Sequence, residues 1–147
     1  MELKRVVVTG MGALTPIGNN LNDYWESLAA GKSGSAPITY YNTEKFKTKF
    51  ACEIKNFNTE DFFDRKEVRR LDKFAQYAMV AADEAILDSK LNLDVVDKYR
   101  VGVIWGAGIG GLETFQNEVI SYAKGDGTPR FNPFFIPKMI ADIAPGN

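Results

Sequence analysis

Cys52 is the only cysteine in this sequence of 147 residues, and it is the first side chain to consider as a nucleophile. A catalytic cysteine needs a base that favours its thiolate form, and the usual base is histidine. The sequence contains no histidine, so neither a Cys-His nor a Ser-His pair can be built from these residues. A zinc site of Cys and His ligands is excluded for the same reason. Because Cys52 lies in a predicted strand, we interpret it as a small buried or half-buried side chain.

A glycine-rich loop at residues 106–111 matches the spacing G-x-G-x-x-G through Gly106, Gly108 and Gly111. In a dinucleotide-binding fold, such glycines let backbone N–H groups and a helix N-terminus hold a pyrophosphate. That pattern also needs an acidic residue about 20 positions further on, at the end of a second strand. Asp126 has this spacing but lies in a Gly-Asp-Gly turn. We therefore favour a tight strand-to-helix turn, and keep a nucleotide-binding module that takes NAD(P) as an alternative.

Basic residues recur at helical spacing between residues 65 and 73. Lys66, Arg69, Arg70 and Lys73 stand at i, i+3, i+4 and i+7, which predicts one positive stripe along a helix. Such a run is usually a solvated face, and acidic residues are interleaved with it here. On a chain with a net charge of −1, the stripe would also suit the docking of an acidic partner.

Three short runs rich in β-branched or aromatic residues predict strands. Residues 5–9 (RVVVT) and 100–105 (RVGVIW) are predicted to be buried central strands, and residues 49–54 (KFACEI) a shorter one. Helical segments separate these strands along the sequence. The order of the elements therefore favours α/β layering.

Apolar periodicity predicts three main helices, over about residues 21–30, 66–90 and 112–124. Asn19 and Asn20 are suitable caps for the first helix, and Gly31 is placed to end it in a left-handed conformation. A shorter helix is predicted near residues 59–63. Apolar residues at helical spacing predict one buried face on the first helix, formed by Leu21, Tyr24, Trp25 and Leu28.

The composition is that of an ordinary globular protein, with 45% hydrophobic and 25% charged residues. The net charge of −1 gives no argument for nucleic-acid binding. No apolar run approaches the ~20 residues that span a bilayer, and the first residues lack the apolar region of a signal peptide. One cysteine allows no internal disulfide, which fits the cytoplasm. We therefore expect a cytoplasmic protein that binds neither nucleic acid nor membrane.

Taken together, the motifs resemble those of the β-ketoacyl-acyl carrier protein synthases of bacterial fatty-acid synthesis. Motifs found in the order of a family are far more specific than one glycine pattern. The resemblance covers nearly the whole chain but only the first part of the family's usual length. The motifs are residues 6–12 (VVVTGMG) with 15–18 (TPIG), 29–34 (AAGKSG), 65–74 (RKEVRRLDKF), 106–111 (GAGIGG) and 133–137 (PFFIP).

The resemblance implies an α/β, thiolase-like fold with αβαβα layers, of which this chain supplies most of the first half. Residues 1–147 would then be an incomplete N-terminal portion of the synthase N-terminal domain. The implied reaction is a decarboxylative Claisen condensation with malonyl-carrier protein, carried out by a homodimer without a cofactor.

Family members perform this reaction with a cysteine, two histidines and a lysine, and the resemblance places none of the four in this sequence. Cys52 does not match the position of the nucleophile. We therefore expect these residues to be inactive on their own, and to expose apolar faces that the rest of such an enzyme would cover.

The resemblance also assigns binding residues. Ile109 matches an acyl-pocket residue in the glycine loop, and Phe135 matches an aromatic residue that reaches the acyl pocket of the partner subunit. Both types suit an apolar chain. Basic residues match contacts to the acyl carrier protein, which is acidic and bears a phosphopantetheine phosphate. These are Lys66, Arg69, Arg70 and, in a loop of different length, Arg130. A fragment that only binds the carrier or dimerises, without catalysis, is the remaining alternative.

Overall fold

The computed structural model describes residues 3–147, which form five α-helices and one two-stranded sheet. The helices are α1 (Leu21–Ala29), α2 (Arg65–Arg70), α3 (Lys73–Ser89), α4 (Leu112–Lys124) and α5 (Phe135–Met139). The strands are β1 (Ala36–Pro37) and β2 (Phe50–Ala51), and short 3-10 turns lie at Thr59–Asp61, Lys98–Arg100 and Ala141–Ile143. The chain divides into two units: the residues up to Phe57 with Ala81–Leu91, and Asn58–Val80 with Asn92–Asn147.

Helix α1 begins and ends as its sequence predicts. The side-chain oxygen of Asn20 accepts a hydrogen bond from the backbone N–H of Asp23 at 2.9 Å, and Gly31 follows the helix with a φ of 65°. The predicted buried face is wrong in part, because Trp25 and Leu28 are 65% and 47% exposed. Periodicity identifies an apolar face, but another element has to cover that face before it is buried.

The sheet is a short antiparallel hairpin in which Ala36 lies opposite Ala51. Next to it, the carboxylate of Glu53 accepts hydrogen bonds from the backbone N–H and the hydroxyl of Thr39, at 3.1 and 2.8 Å. The strand predicted over residues 49–54 is confirmed only for Phe50–Ala51, because the backbone pairing with β1 covers these two residues alone.

The loop that precedes α1 is held against the C-terminal part of α3. The carboxylate of Glu84 accepts hydrogen bonds from the backbone N–H groups of Ala13 and Leu21, both at 2.8 Å. The approach is so close that a Cβ on Gly12 would overlap the carbonyl oxygen of Ala81. Glycine is required there because backbone lies directly on backbone.

The single long helix predicted over residues 66–90 is wrong, because the structure breaks it into α2 and α3. Leu71 has φ −110° and ψ 135°, values of extended chain. Directly after it, the carboxylate of Asp72 accepts hydrogen bonds from both the backbone N–H and the hydroxyl of Thr114 on α4. This buried contact turns Asp72 inward, and the second helix begins from it.

The two predicted central strands, residues 5–9 and 100–105, are not formed. No strand covers either run in the described part of the chain, and Val6 and Ile104 are 89% and 99% exposed. A strand is stable only when its backbone groups pair with a neighbour, and residues 3–147 give neither run such a neighbour. The exposure of these apolar residues agrees with the expectation of uncovered apolar faces.

The second unit contains the most deeply buried apolar side chains. Helix α3 contributes the small residues Ala75 and Ala78 there, and α4 has the predicted bounds. Among residues 3–147, no helix combines the length and the apolar character needed to cross a membrane. The buried apolar residues are Phe63, Leu71, Ala75, Ala78, Val80 and Ala144.

Candidate functional site

An open apolar groove of about 450 Å³ lies beside the start of α4 and the end of α5. Ile109 lines it and is 71% exposed, so its side chain is available to a ligand. A groove of this size and character suits an acyl chain. The role of Ile109 in binding stays a prediction. The other lining residues are Leu112, Phe115, Met139, Ile140, Ala141 and Asp142.

The glycine loop brings the two walls of this groove together. Gly110 has a φ of 89°, and a Cβ there would overlap the carbonyl oxygen of Met139. The backbone N–H of Gly111 donates a hydrogen bond to the same oxygen at 2.9 Å. By contrast, Gly106 and Gly108 have open space around them. Gly110 and Gly111 therefore allow the close contact between the start of α4 and the end of α5. In the part of the chain that the structure describes, no strand leads directly into the loop, as a dinucleotide site requires.

Phe135 does not line the groove itself but lies in a row of aromatic rings behind it. Its ring stacks on Phe115 at 6.3 Å between centroids and on Phe131 at 5.7 Å, with interplanar angles of 21° and 15°. Phe131 in turn lies 5.6 Å from the ring of Tyr122. Because Phe115 is also a wall of the groove, Phe135 is one ring removed from the site where Ile109 lies. Whether Phe135 serves an acyl pocket stays a prediction.

Helix α2 presents basic side chains to solvent. It begins with a capping box, in which the Asp64 carboxylate accepts from the backbone N–H of Glu67 at 2.8 Å and the Glu67 carboxylate accepts from that of Asp64 at 2.9 Å. Lys66 and Arg69 are exposed. Arg70 ends the helix with its guanidinium 5.4 Å from the centre of the Phe134 ring.

The two other basic residues considered in the sequence, Lys73 and Arg130, lie outside α2, and each is near a carboxylate. Lys73 belongs to α3, beyond the break, and its ammonium lies 3.3 Å from the carboxylate of Glu113. The stripe of four residues on one helix is therefore wrong at Lys73. Arg130 is exposed and lies 3.7 Å from the carboxylate of Asp126.

The Asp126 carboxylate has a lowered pKa. The backbone N–H of Thr128 donates to it at 2.9 Å, and this bond is the largest cause; the hydroxyl of Thr128 adds to it. Both bonds favour the charged form. The carboxylate beside Arg130 therefore stays ionised to lower pH than an ordinary aspartate.

We expect an NMR pH titration of Asp126 to give a pKa below its ordinary value of 3.8. Thr128→Val should raise that pKa, but not fully, since the N–H bond remains. Because the pKa is depressed, the pairing with Arg130 persists above it and is lost as the pH falls through it. A pKa of Asp126 that does not respond to Thr128→Val would contradict this account.

Cys52 is exposed rather than buried or half-buried, so that prediction is wrong. It follows β2, whose edge leaves the side chain in solvent. Among the described residues, no group of three or more His, Cys, Asp and Glu side chains is placed to hold a metal ion.

Sequence reasoning missed most of the groove. Leu112 and Phe115 stand at i and i+3 on α4, a spacing that could have marked them as a shared apolar face. Met139 and Ile140 carry no comparable signal, because only the contact between α4 and α5 brings them to the groove.

Comparison with known families gives a match over almost the entire chain. The sequence pattern of the beta-ketoacyl synthase N-terminal domain matches residues 3–147. The chain belongs to the beta-ketoacyl synthase family. The resemblance that its motifs indicated is therefore confirmed.

Two curated relatives of this beta-ketoacyl synthase chain carry the same name. This chain is 48% identical over 145 residues to 3-oxoacyl-(acyl-carrier-protein) synthase 2 of Staphylococcus aureus strain COL, and the match covers 97% of this chain and 34% of the relative. It is 43% identical over 146 residues to the protein of the same name from Synechocystis sp., covering 99% and 35%. The chain thus spans about a third of the length of these relatives.

Solved structures of ketosynthases share its fold. The ishigamide ketosynthase/chain length factor superposes with a TM-score of 0.82 at 27% identity, over 94% of this chain and 34% of the other. A beta-ketoacyl synthase from Burkholderia phymatum STM815 gives a TM-score of 0.76 at 23% identity, over 98% and 36%. The prediction of an α/β, thiolase-like fold, of which this chain forms part of the first half, is confirmed.

Proposed function

We propose that this chain is part of a 3-oxoacyl-(acyl-carrier-protein) synthase that elongates acyl chains in fatty-acid biosynthesis. The observation that carries the proposal is the 48% identity over 145 residues to enzymes of that name. In the proposed reaction, an acyl group passes from its carrier to a cysteine thiolate. Malonyl-carrier protein then loses CO₂, and the resulting carbanion attacks the acyl thioester and releases the cysteine.

The residues of this chain have binding roles in that reaction. Ile109 and the groove around it would hold part of the acyl chain, because apolar walls favour a hydrocarbon over water. Phe135 supports that wall through Phe115 and would reach the acyl pocket of a partner subunit in a homodimer. The carbon–carbon bond itself needs a thiolate and imidazoles, and these residues include no histidine.

The direct test is condensation by the protein encoded by the whole reading frame that contains these residues. We expect consumption of acyl- and malonyl-carrier protein, release of CO₂ and a 3-oxoacyl product. Residues 1–147 alone should give no turnover, because the required histidines are absent. Carrier binding without condensation by the whole protein would instead support the non-catalytic module.

We infer that α2 is the surface that receives the acyl carrier protein. Lys66 and Arg69 are exposed, so they can meet the carboxylates and phosphate of such a partner. Arg69 also lies in the last turn of α2, where a positive charge is favourable to the helix dipole. Arg130 would join this surface only by giving up part of its pairing with Asp126. We place the protein in the cytoplasm, where such carriers act.

We expect the double variant Lys66→Glu, Arg69→Glu to weaken carrier-protein binding about tenfold at low salt. Each reversal removes an attraction and adds a repulsion of up to about 1 kcal/mol. The difference should shrink at high salt, because exposed charges are screened. Titration calorimetry at two salt concentrations measures it.

The double variant Lys45→Glu, Lys47→Glu is the matched control, since it makes the same total charge change at two exposed residues outside α2. Its effect should be much smaller than that of Lys66→Glu, Arg69→Glu. Equal weakening by the two double variants would show that net charge alone matters, and would count against α2 as the docking surface.

A further inference from the structure

Arg70 differs from the other cations of α2 because it contacts an aromatic ring. Its guanidinium lies 5.4 Å from the ring centre of Phe134, within the range of a cation–π contact. Among the residues that the structure describes, Lys66 and Arg69 make no cation–π contact. One side chain on the proposed docking helix is therefore already engaged with another part of the molecule.

Phe134 is tied to the start of α5. Its backbone N–H donates to the side chain of Asn132 at 2.8 Å, and its carbonyl accepts from the N–H of Lys138 at 2.9 Å. The next residue is Phe135, whose ring is stacked between Phe115 and Phe131. Because the two residues are adjacent, a displacement of the Phe134 backbone would also shift Phe135 within its row of rings.

The other end of the contact is anchored as well. Directly after Arg70, Leu71 is 5% exposed and Asp72 is hydrogen-bonded to Thr114 on α4. The backbone that carries Arg70 is therefore fixed to the helix that lines the acyl groove. Only the long side chain of Arg70 is free to exchange a ring for another partner.

We propose that Arg70 is a positioning residue that couples carrier docking on α2 to the acyl pocket through Phe134 and Phe135. Its guanidinium holds Phe134 in place while no carrier protein is bound to α2. An acidic partner draws the guanidinium from the ring, and Phe135 then yields to a longer acyl chain. This inference rests on the proposed function.

The test uses Arg70→Lys, which keeps the charge but loses the flat guanidinium that covers a ring. In the whole protein, we expect the ratio of kcat/KM for long against short acyl-carrier substrates to rise by a factor of about two to five, the range of an exposed cation–π contact. The Kd for the carrier should change by less than about twofold, because the charge remains. Arg65→Lys, on the same exposed helix, is the matched control and should leave the ratio unchanged.

Two variants at the ring complete the experiment. Phe134→Tyr keeps the aromatic face and should leave the ratio as it is, whereas Phe134→Leu should reproduce the effect of Arg70→Lys. Combining Arg70→Lys with Phe134→Leu should add nothing, because both remove the same contact. Equal ratios for Arg70→Lys, Arg65→Lys and the unchanged protein would overturn the coupling alone. A protein that neither binds the carrier nor condenses would overturn the proposed function and the coupling together.

Discussion

Replacing Glu84 with glutamine is expected to lower the free energy of unfolding by about 3 kcal/mol, which urea denaturation can measure. Glu84 is half-buried, and its two carboxylate oxygens accept the backbone N–H groups of Ala13 and Leu21 at 2.8 Å. Hydrogen bonds to a charged group contribute about 1.5–3 kcal/mol each. Glutamine keeps one acceptor and places an NH₂ group against the other N–H, so a donor meets a donor.

Asp83→Asn is the matched control for this substitution. Asp83 is the neighbouring residue on α3 and is exposed, so the same loss of charge should cost less than about 0.5 kcal/mol. Equal losses for Asp83→Asn and Glu84→Gln would mean that helix charge decides the effect, and not the attachment of the loop before α1.

Thr114→Val is expected to cost about 2 kcal/mol of unfolding free energy, because it deletes a hydroxyl that donates to a buried carboxylate. Thr114 and Asp72 are 9% and 8% exposed, so water cannot easily replace the lost donor. Valine has nearly the shape of threonine, and the backbone N–H bond to Asp72 at 3.1 Å remains. The change therefore isolates the hydroxyl.

Thr114→Ser keeps the hydroxyl and removes only a methyl group. It should lie between the original chain and Thr114→Val, at a loss of about 1 kcal/mol from the methyl group. A serine variant that is less stable than the valine variant would show that packing, and not the bond to Asp72, holds α4 against the start of α3.

The sequence predicted those helices whose ends are set by residues close to them in the chain. Asn20 and Gly31 bound α1 because a cap and a left-handed residue act on the nearest turn alone. Helix α4 likewise follows directly from the glycine loop and has the predicted bounds Leu112–Lys124. Such elements depend on neighbours within a few residues, and those neighbours are visible in the sequence.

Features that depend on distant partners could not be predicted in this way. The break at Leu71 depends on a bond from Asp72 to a residue 42 positions away. Residues 5–9 and 100–105 have the composition of strands, but composition does not provide the neighbouring strand that pairs with them. The β-propensity of a run describes what it can do once it is paired.

The candidate site shows the same division. The family motifs marked Ile109 and Phe135, and the structure places Ile109 in the groove and Phe135 one ring behind it. The motifs could not distinguish Arg70 from Arg69, since the two are adjacent cations of one type. Only the packing of α2 near Phe134 separates them.

The exposed thiol of Cys52 affects how self-association of these residues must be measured. In air, the Cys52 thiols of two molecules can oxidise to an intermolecular disulfide. The resulting covalent dimer migrates as a pair of chains on a denaturing gel without reductant. A pair that disappears with dithiothreitol reports this oxidation. A pair that persists in sedimentation with reductant present, or with Cys52→Ser, reports a true subunit interface.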